Sequence, residues 1–231
     1  MKIEYNIYEI NNLVYKDAIK YDKRTYFQYY LSLIKTKHIL LFSFCYIDDY
    51  NSRIIKILLF LFTFIIYFTI NALFFNDSTM HKIYIDNGKY NILYQMPQII
   101  YSSLISIVLN TILKTLALSE QNILNLKNIK DKNLINKKFN ELIKFLYYKF
   151  MFFFIIGFIF LLFFWYYLSL FCAVYENTQI HLIKDTLISF GLSMIYPFGL
   201  YLIPGIFRIP SLSSKAKRET MYKFSKIIQL I

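Results

Sequence analysis

MFFFIIGFIFLLFFWYYLSLFCAVY, residues Met151–Tyr175, runs for twenty-five positions without a charged side chain. At about 1.5 Å per residue a helix of that length covers roughly 37 Å, more than the ~30 Å hydrocarbon core of a bilayer. A helix apolar on every face has little use in a water-soluble chain of 231 residues. The fold is therefore expected to be all-α and built in a membrane.

Three further stretches are expected to cross with it. Ile57–Phe75 (ILLFLFTFIIYFTINALFF) holds Thr63, Thr69 and Asn71 but no charge. Ile99–Leu118 (IIYSSLISIVLNTILKTLAL) follows Pro97, which a helix start tolerates, and carries Lys114 near its far end, where the side chain can snorkel. Thr186–Phe207 is broken up by Gly191, Pro197, Gly199, Pro204 and Gly205. Tyr26–Ile47 is also mostly apolar, but Lys35, Lys37 and His38 sit at its centre. Each central lysine costs about 2.5–3.5 kcal/mol on insertion. Thr25–His38 is instead expected to be an amphipathic helix on the membrane surface, with Gln28, Ser32 and Lys35 on one face and Phe27, Tyr30, Leu31 and Ile34 on the other. Ile39–Ile47 then dips in or packs under the bundle.

The organisation that follows is an interfacial N-terminal segment (1–56), a four-span domain (57–207, spans about 57–75, 99–118, 151–175 and 186–207) and a basic tail (208–231). A loop at 119–150 is expected to form a helical hairpin. Its Ile135, Phe139, Leu142 and Leu146 share one face, and Lys137, Lys138, Glu141 and Lys144 another. In the tail Met221, Phe224, Ile228 and Ile231 line one face.

Charge orients this arrangement. The formal net charge is +12. With these spans, 23 of the 26 basic residues fall on one side; only Lys82, Lys89 and Lys184 fall on the other. Lysine and arginine excess marks the cytoplasmic side, so both termini are expected there. The basic residues Lys215, Lys217, Arg218, Lys223 and Lys226 would contact anionic lipid, each worth about 1 kcal/mol near the headgroups. No nucleic-acid-binding module is present, so the charge does not point to nucleic acid. Only five Gly and four Pro stand against 24 Phe and 22 Tyr. Phe, Tyr, Ile, Asn and Lys have A/T-rich codons, so this wealth of aromatics argues for no ligand by itself.

Two constellations could carry function. Ser103, Ser106, Asn110 and Lys114 recur every three or four residues and share one face of the second span, with Ser102 beside them. Such a stripe lines a wet pathway or packs on other spans; Asn71 is a natural partner. Pro197, Gly199, Pro204 and Gly205 mark the fourth span as kinked, either a plain kink or a hinge. No span is expected to carry Asp, Glu, Arg or His in its core, which disfavours a proton-coupled mechanism. His81 and His181, with Asp77, Asp86, Glu176 and Asp185, fall in the outer loops without metal-ligand spacing. Asn76-Asp77-Ser78 is a formal glycosylation sequon too close to a span end to be used. Cys45 and Cys172 make no disulfide framework. No Walker, GxSxG or kinase motif appears, so no enzyme activity and no cofactor is expected. A cleavable signal peptide is not apparent, and the first span is expected to act as an uncleaved insertion signal.

Tyr15–Phe44 (YKDAIKYDKRTYFQYYLSLIKTKHILLFSF) and Asn71–Leu124 (beginning NALFFNDSTMHKIYIDNGKYNILYQMPQ) resemble a multi-span module of uncharacterised membrane proteins from A/T-rich protist genomes. The resemblance extends over most of the chain. It implies the membrane portion of a larger protein, or a short relative, and supplies no catalytic or ligand residues. The expected partners are the bilayer and its anionic cytoplasmic lipids, with a homo-oligomer or a larger membrane complex as the assembly. The expected role is a non-enzymatic multi-pass module that anchors or assembles a complex at the cytoplasmic leaflet. The alternative is a channel or transporter subunit, with span two lining the path and span four as a kinked gate.

Overall fold

A computed structural model of the chain describes residues 5–127, 132–213 and 218–230. All regular structure among the described residues is helical. In chain order the helices are α1 (Ile7–Asn12), α2 (Tyr15–Tyr21), α3 (Tyr26–Lys37), α4 (Ile39–Phe44), α5 (Arg53–Phe74), α6 (Asp77–Ile85), α7 (Ile92–Ala117), α8 (Glu120–Lys127), α9 (Lys132–Val174), α10 (Gln179–Leu200), α11 (Leu202–Leu212) and α12 (Glu219–Leu230). Four stretches are long and apolar enough to cross a membrane: Arg53–Phe74, Ile92–Ala117, Ile135–Val174 and Gln179–Leu212.

Short polar residues start several of these helices by bonding amides that have no partner within the helix. Asn6 and Glu9 form a reciprocal capping box before α1, and Thr25 and Gln28 do the same before α3. Asn76, the asparagine of the sequon, caps α6 by accepting from the Thr79 amide at 2.9 Å. α6 ends where Asn87 and Gly88 take positive φ (52° and 73°), and Gly88 N–H returns to the Ile83 carbonyl.

The helix ends depart from expectation in three places. α7 begins seven residues earlier than the expected span, at Ile92, and Pro97 lies inside its second turn. A single proline so near the start removes only one backbone bond. The hairpin expected at 119–150 is not a hairpin with two free limbs. Its first limb is α8, but its second is continuous with the third span in the 43-residue α9. No glycine or proline interrupts α9 before Gly157, so nothing in 132–150 breaks the helix before the span begins. The fourth span splits into α10 and α11 at Tyr201.

The chain forms two compact units. One holds the first three spans and the start of the fourth: residues 54–119 and 129–193 as far as they are described. In it α5 touches α9 through Phe62–Phe153 and Phe68–Phe164, and α10 through Phe60, Phe64 and Tyr67 around Phe190. Half of the most apolar window of α5 is buried, against 11% for α9. Phe152, Phe154, Phe158, Phe163, Trp165 and Tyr166 of α9 are all exposed. In water that surface would be a large apolar patch; in lipid it is solvated. Ala72, Phe75, Ile83, Phe171 and Leu182 close one end of this unit.

The other unit holds residues 1–53, 120–128 and 194–231 as far as they are described. Here α11 packs on α12 and α3, α3 on α1 and α4, and α12 on α2. Leu13, Tyr15, Ala18 and Tyr222 form an apolar cluster within it.

Candidate functional sites: a buried arginine cluster and a polar file along the spans

The terminal unit is organised around Arg208 of α11, whose side chain is fully buried. Its Nε and Nη2 donate to Asp22 Oδ2 at 3.0 and 2.8 Å. Nη1 reaches the Asn11 carbonyl at 3.1 Å, and Nη2 also reaches the Ile10 carbonyl at 2.8 Å. The guanidinium lies between the rings of Tyr29 and Tyr222, 4.9 and 4.8 Å from their centroids. Asp22 is shared with Arg24, which donates from Nε to Oδ1 at 2.7 Å and from Nη2 to Oδ2 at 2.8 Å. Arg24 Nη1 goes on to Asn11 Oδ1 and Ser32 Oγ at 2.8 and 2.9 Å. Burial alone pushes the Asp22 carboxyl upward; the bonds and charges of Arg24 and Arg208 outweigh it and hold the group below the usual carboxylate range. Burial also pushes the Tyr222 phenol up to about 12, so its hydroxyl stays protonated and donates to the Leu13 carbonyl at 2.8 Å. A second tie fixes α8 to α1: Glu9, 3% exposed, accepts from Lys127 Nζ at 2.5 Å and from the Tyr50 hydroxyl at 2.6 Å.

This cluster corrects two expectations. Arg208 is not one of a solvated run of tail charges. It is the largest fully buried side chain of the described residues. α3 also turns differently from its expected faces. Tyr29, Ser32, Leu33 and Ile34 are buried, while Phe27 and Leu31 are exposed. Ser32 faces inward because Asn11 and Arg24 are there to bond it.

The glycine and proline positions of the fourth span separate into two kinds. Gly199 lies in α10 with open space where a Cβ would be. Pro197 is buried in the same helix. Pro204 and Gly205 are buried in α11, and a methyl group on Gly205 would fall 2.7 Å from the Tyr26 ring. Around the break at Tyr201 the Tyr30 hydroxyl donates to the Phe198 carbonyl at 3.1 Å and the Tyr26 hydroxyl to the Leu202 carbonyl at 2.8 Å. His38 Nε2 lies 2.7 Å from the Met194 carbonyl. The kink is braced by α3.

Of the five expected lipid-contacting tail residues, Lys215 and Lys217 lie outside the described residues, as does Ile231 of the expected apolar face. Arg218 and Lys223 are exposed, and Lys223 pairs with Glu219 at 2.9 Å. Lys226 turns inward to the Asn12 carbonyl at 2.8 Å. Tyr222, Ser225 and Gln229 are the buried face of α12, and Phe224 is 48% exposed.

In the span unit the expected stripe of α7 belongs to a longer polar file. Asn71 of α5 sits at its middle, fully buried. It accepts from the Ser102 hydroxyl at 2.9 Å and donates to Ser189 Oγ of α10 and to the Tyr67 carbonyl, both at 2.8 Å. Ser106 and Asn110 continue along α7 and are buried; Ser103 and Lys114 are half-buried. Ser103 Oγ, Ser106 Oγ and Asn110 Oδ1 have no hydrogen-bond partner among the described residues. In the other direction the file reaches Asp185 and His181. The expectation that these two lie in a loop is wrong: both are on the first turns of α10, at 0% and 3% exposure. Asp185 accepts from the Tyr90 hydroxyl at 2.5 Å and from Gln98 Nε2 at 3.3 Å. His81 is exposed, and no group of three or more His, Cys, Asp or Glu suited to a metal occurs among the described residues.

No protein-family model matches the chain, and neither a curated protein nor a solved structure does. The class is defined by the fold itself: an all-helical chain with four helices long and apolar enough to span a membrane.

Proposed function

We propose that the chain is a non-enzymatic integral membrane module, with both termini cytoplasmic, whose terminal unit anchors or assembles a complex at the cytoplasmic leaflet. One observation carries this reading. The Arg208–Asp22–Arg24 cluster ties α1, the end of α2, α3, α11 and α12 into a fixed core, yet Lys16, Lys20, Lys23, Lys35, Arg218 and Lys223 remain exposed. A fold that keeps Arg208 inside and these six basic residues outside presents a basic surface suited to acidic headgroups or an acidic partner. The partition of basic residues among the loops supports the orientation.

The check is lysine footprinting of the full chain in nanodiscs. In discs containing phosphatidylserine the reactivity of Lys16, Lys20, Lys23 and Lys223 should drop several-fold relative to neutral discs, and high salt should restore it. Equal reactivity in both discs would remove the reading.

A second reading, a channel or transporter subunit, is favoured by the buried oxygens of Ser103, Ser106 and Asn110 that lack partners among the described residues. Water in a polar pathway would satisfy them. Asn110→Leu and Ser106→Leu should then reduce flux in proteoliposomes while insertion stays normal. Misassembly in both variants would instead make the stripe a packing surface.

A further inference from the structure

The end of the polar file at Asp185 has the chemistry of an ion site. We propose that Asp185, with an oxygen from Gln95 one turn from its partner Gln98 and one from its chain neighbour Thr186, binds a monovalent alkali cation inside the span unit. The inference is independent of the docking reading, since it uses none of the terminal unit.

Charge balance comes first. A carboxylate at 0% exposure costs several kcal/mol unless it is compensated. Arg208 answers that need for Asp22, but Asp185 has no ion pair among the described residues. Lys184, its sequence neighbour, points its ammonium over the Tyr90 ring at 5.3 Å. The two groups that do bond Asp185, the Tyr90 hydroxyl and the Gln98 amide, are neutral donors. A carboxylate offers about four lone-pair directions, so this leaves acceptor capacity unused.

The surroundings supply further oxygens. Gln95 lies one turn before Gln98 on α7, is 2% exposed, and its Oε1 has no hydrogen-bond partner among the described residues. Thr186, next to Asp185, is 1% exposed, and its Oγ1 likewise lacks a partner. A proton on Asp185 would cancel the charge but, with a single O–H to donate, would not satisfy both oxygens. A cation does both, because hard ions are held by carboxylate, amide and hydroxyl oxygens. One carboxylate among neutral oxygens balances a single positive charge, and no group of three or more acidic, imidazole or thiol ligands that would hold a divalent ion occurs among the described residues.

The test is thermal unfolding of the full chain in a mild detergent, in NaCl, KCl or choline chloride at equal ionic strength, repeated at pH 5.5 and pH 8. The proposal expects a midpoint that climbs and saturates with NaCl or KCl relative to choline. Asp185→Asn should abolish the rise, and Gln95→Leu should move it to at least tenfold higher salt. The same midpoint in all three salts overturns the proposal. So does a rise that survives in both variants, which places the ion elsewhere, or a midpoint that responds to pH alone, which makes the ligand a proton. If Asp185→Asn does not fold, Gln95→Leu decides between these outcomes.

Discussion

Arg208→Met should weaken the terminal unit by about 3–5 kcal/mol, the usual cost of removing one member of a buried ion pair. Methionine fills the volume of the arginine stem between Tyr29 and Tyr222 but leaves Asp22 with a charge only half compensated. The Ile10 and Asn11 carbonyls also lose their donors. Hydrogen exchange of α11 and α12 amides in the full chain reads this directly. The rates should rise by about two to four orders of magnitude while α5 and α9 stay protected. Asp22→Asn should act in the same direction. Asp22→Leu with Arg208→Met should cost less than the two single losses combined, because Arg24, the remaining charge, is 16% exposed and can be hydrated. Simple additivity would mean that the two charges do not act as a unit.

The same cluster fixes a pH dependence. Asp22 titrates lower in the folded chain than in the unfolded one. Its stabilisation is therefore fully present above the unfolded carboxylate pKa, about 4. It is lost as pH falls through the lower folded value. Glu9 adds to this: burial pushes its carboxyl upward, but bonds from Lys127, Tyr50 and the Asn6 amide hold it below its ordinary value. Exchange protection of the terminal unit should be flat near neutrality and fall on the acid side.

Gly157→Val should be the most damaging single change in the apolar span Met151–Tyr175. A Cβ built on Gly157 lies 2.5 Å from Phe62 Cε2 and 2.6 Å from its Cζ, inside any real contact distance. The Phe62 ring, half-buried and set edge-on to Phe153 at 5.7 Å, must swing away from that contact to make room. Overpacking of this kind costs about 1–3 kcal/mol, and valine should sit at the top of that range. The midpoint of thermal unfolding in detergent reads it. Phe62→Leu, which shortens the opposing ring, should recover most of the loss for Gly157→Ala. Gly199→Ala, with open space around its Cβ, should leave the midpoint unchanged or raise it. No loss at Gly157 would mean that α5 and α9 do not approach closely there, and a full-strength loss at Gly199 would mean that the space around it in α10 is not open.

The sequence by itself determined the helical class and the four apolar stretches. Length, absence of charge and mean hydropathy are local properties, and in a bilayer they decide which segments remain helical throughout. It also marked the polar face of α7 and Asn71 as its natural partner, because a spacing of three and four residues is geometry within one helix. It did not reveal that Arg208 is buried, that Asp185 and His181 lie within α10, or that Ser32 faces inward. The only local hint was an arginine flanked by Phe207 and Ile209, separated from the next basic residue, Lys215. Those placements needed the tertiary structure. A charge in a low-dielectric interior is tolerable only when partners such as Asp22, Asn11 and the Ile10 carbonyl, almost two hundred residues away, arrive at hydrogen-bonding distance.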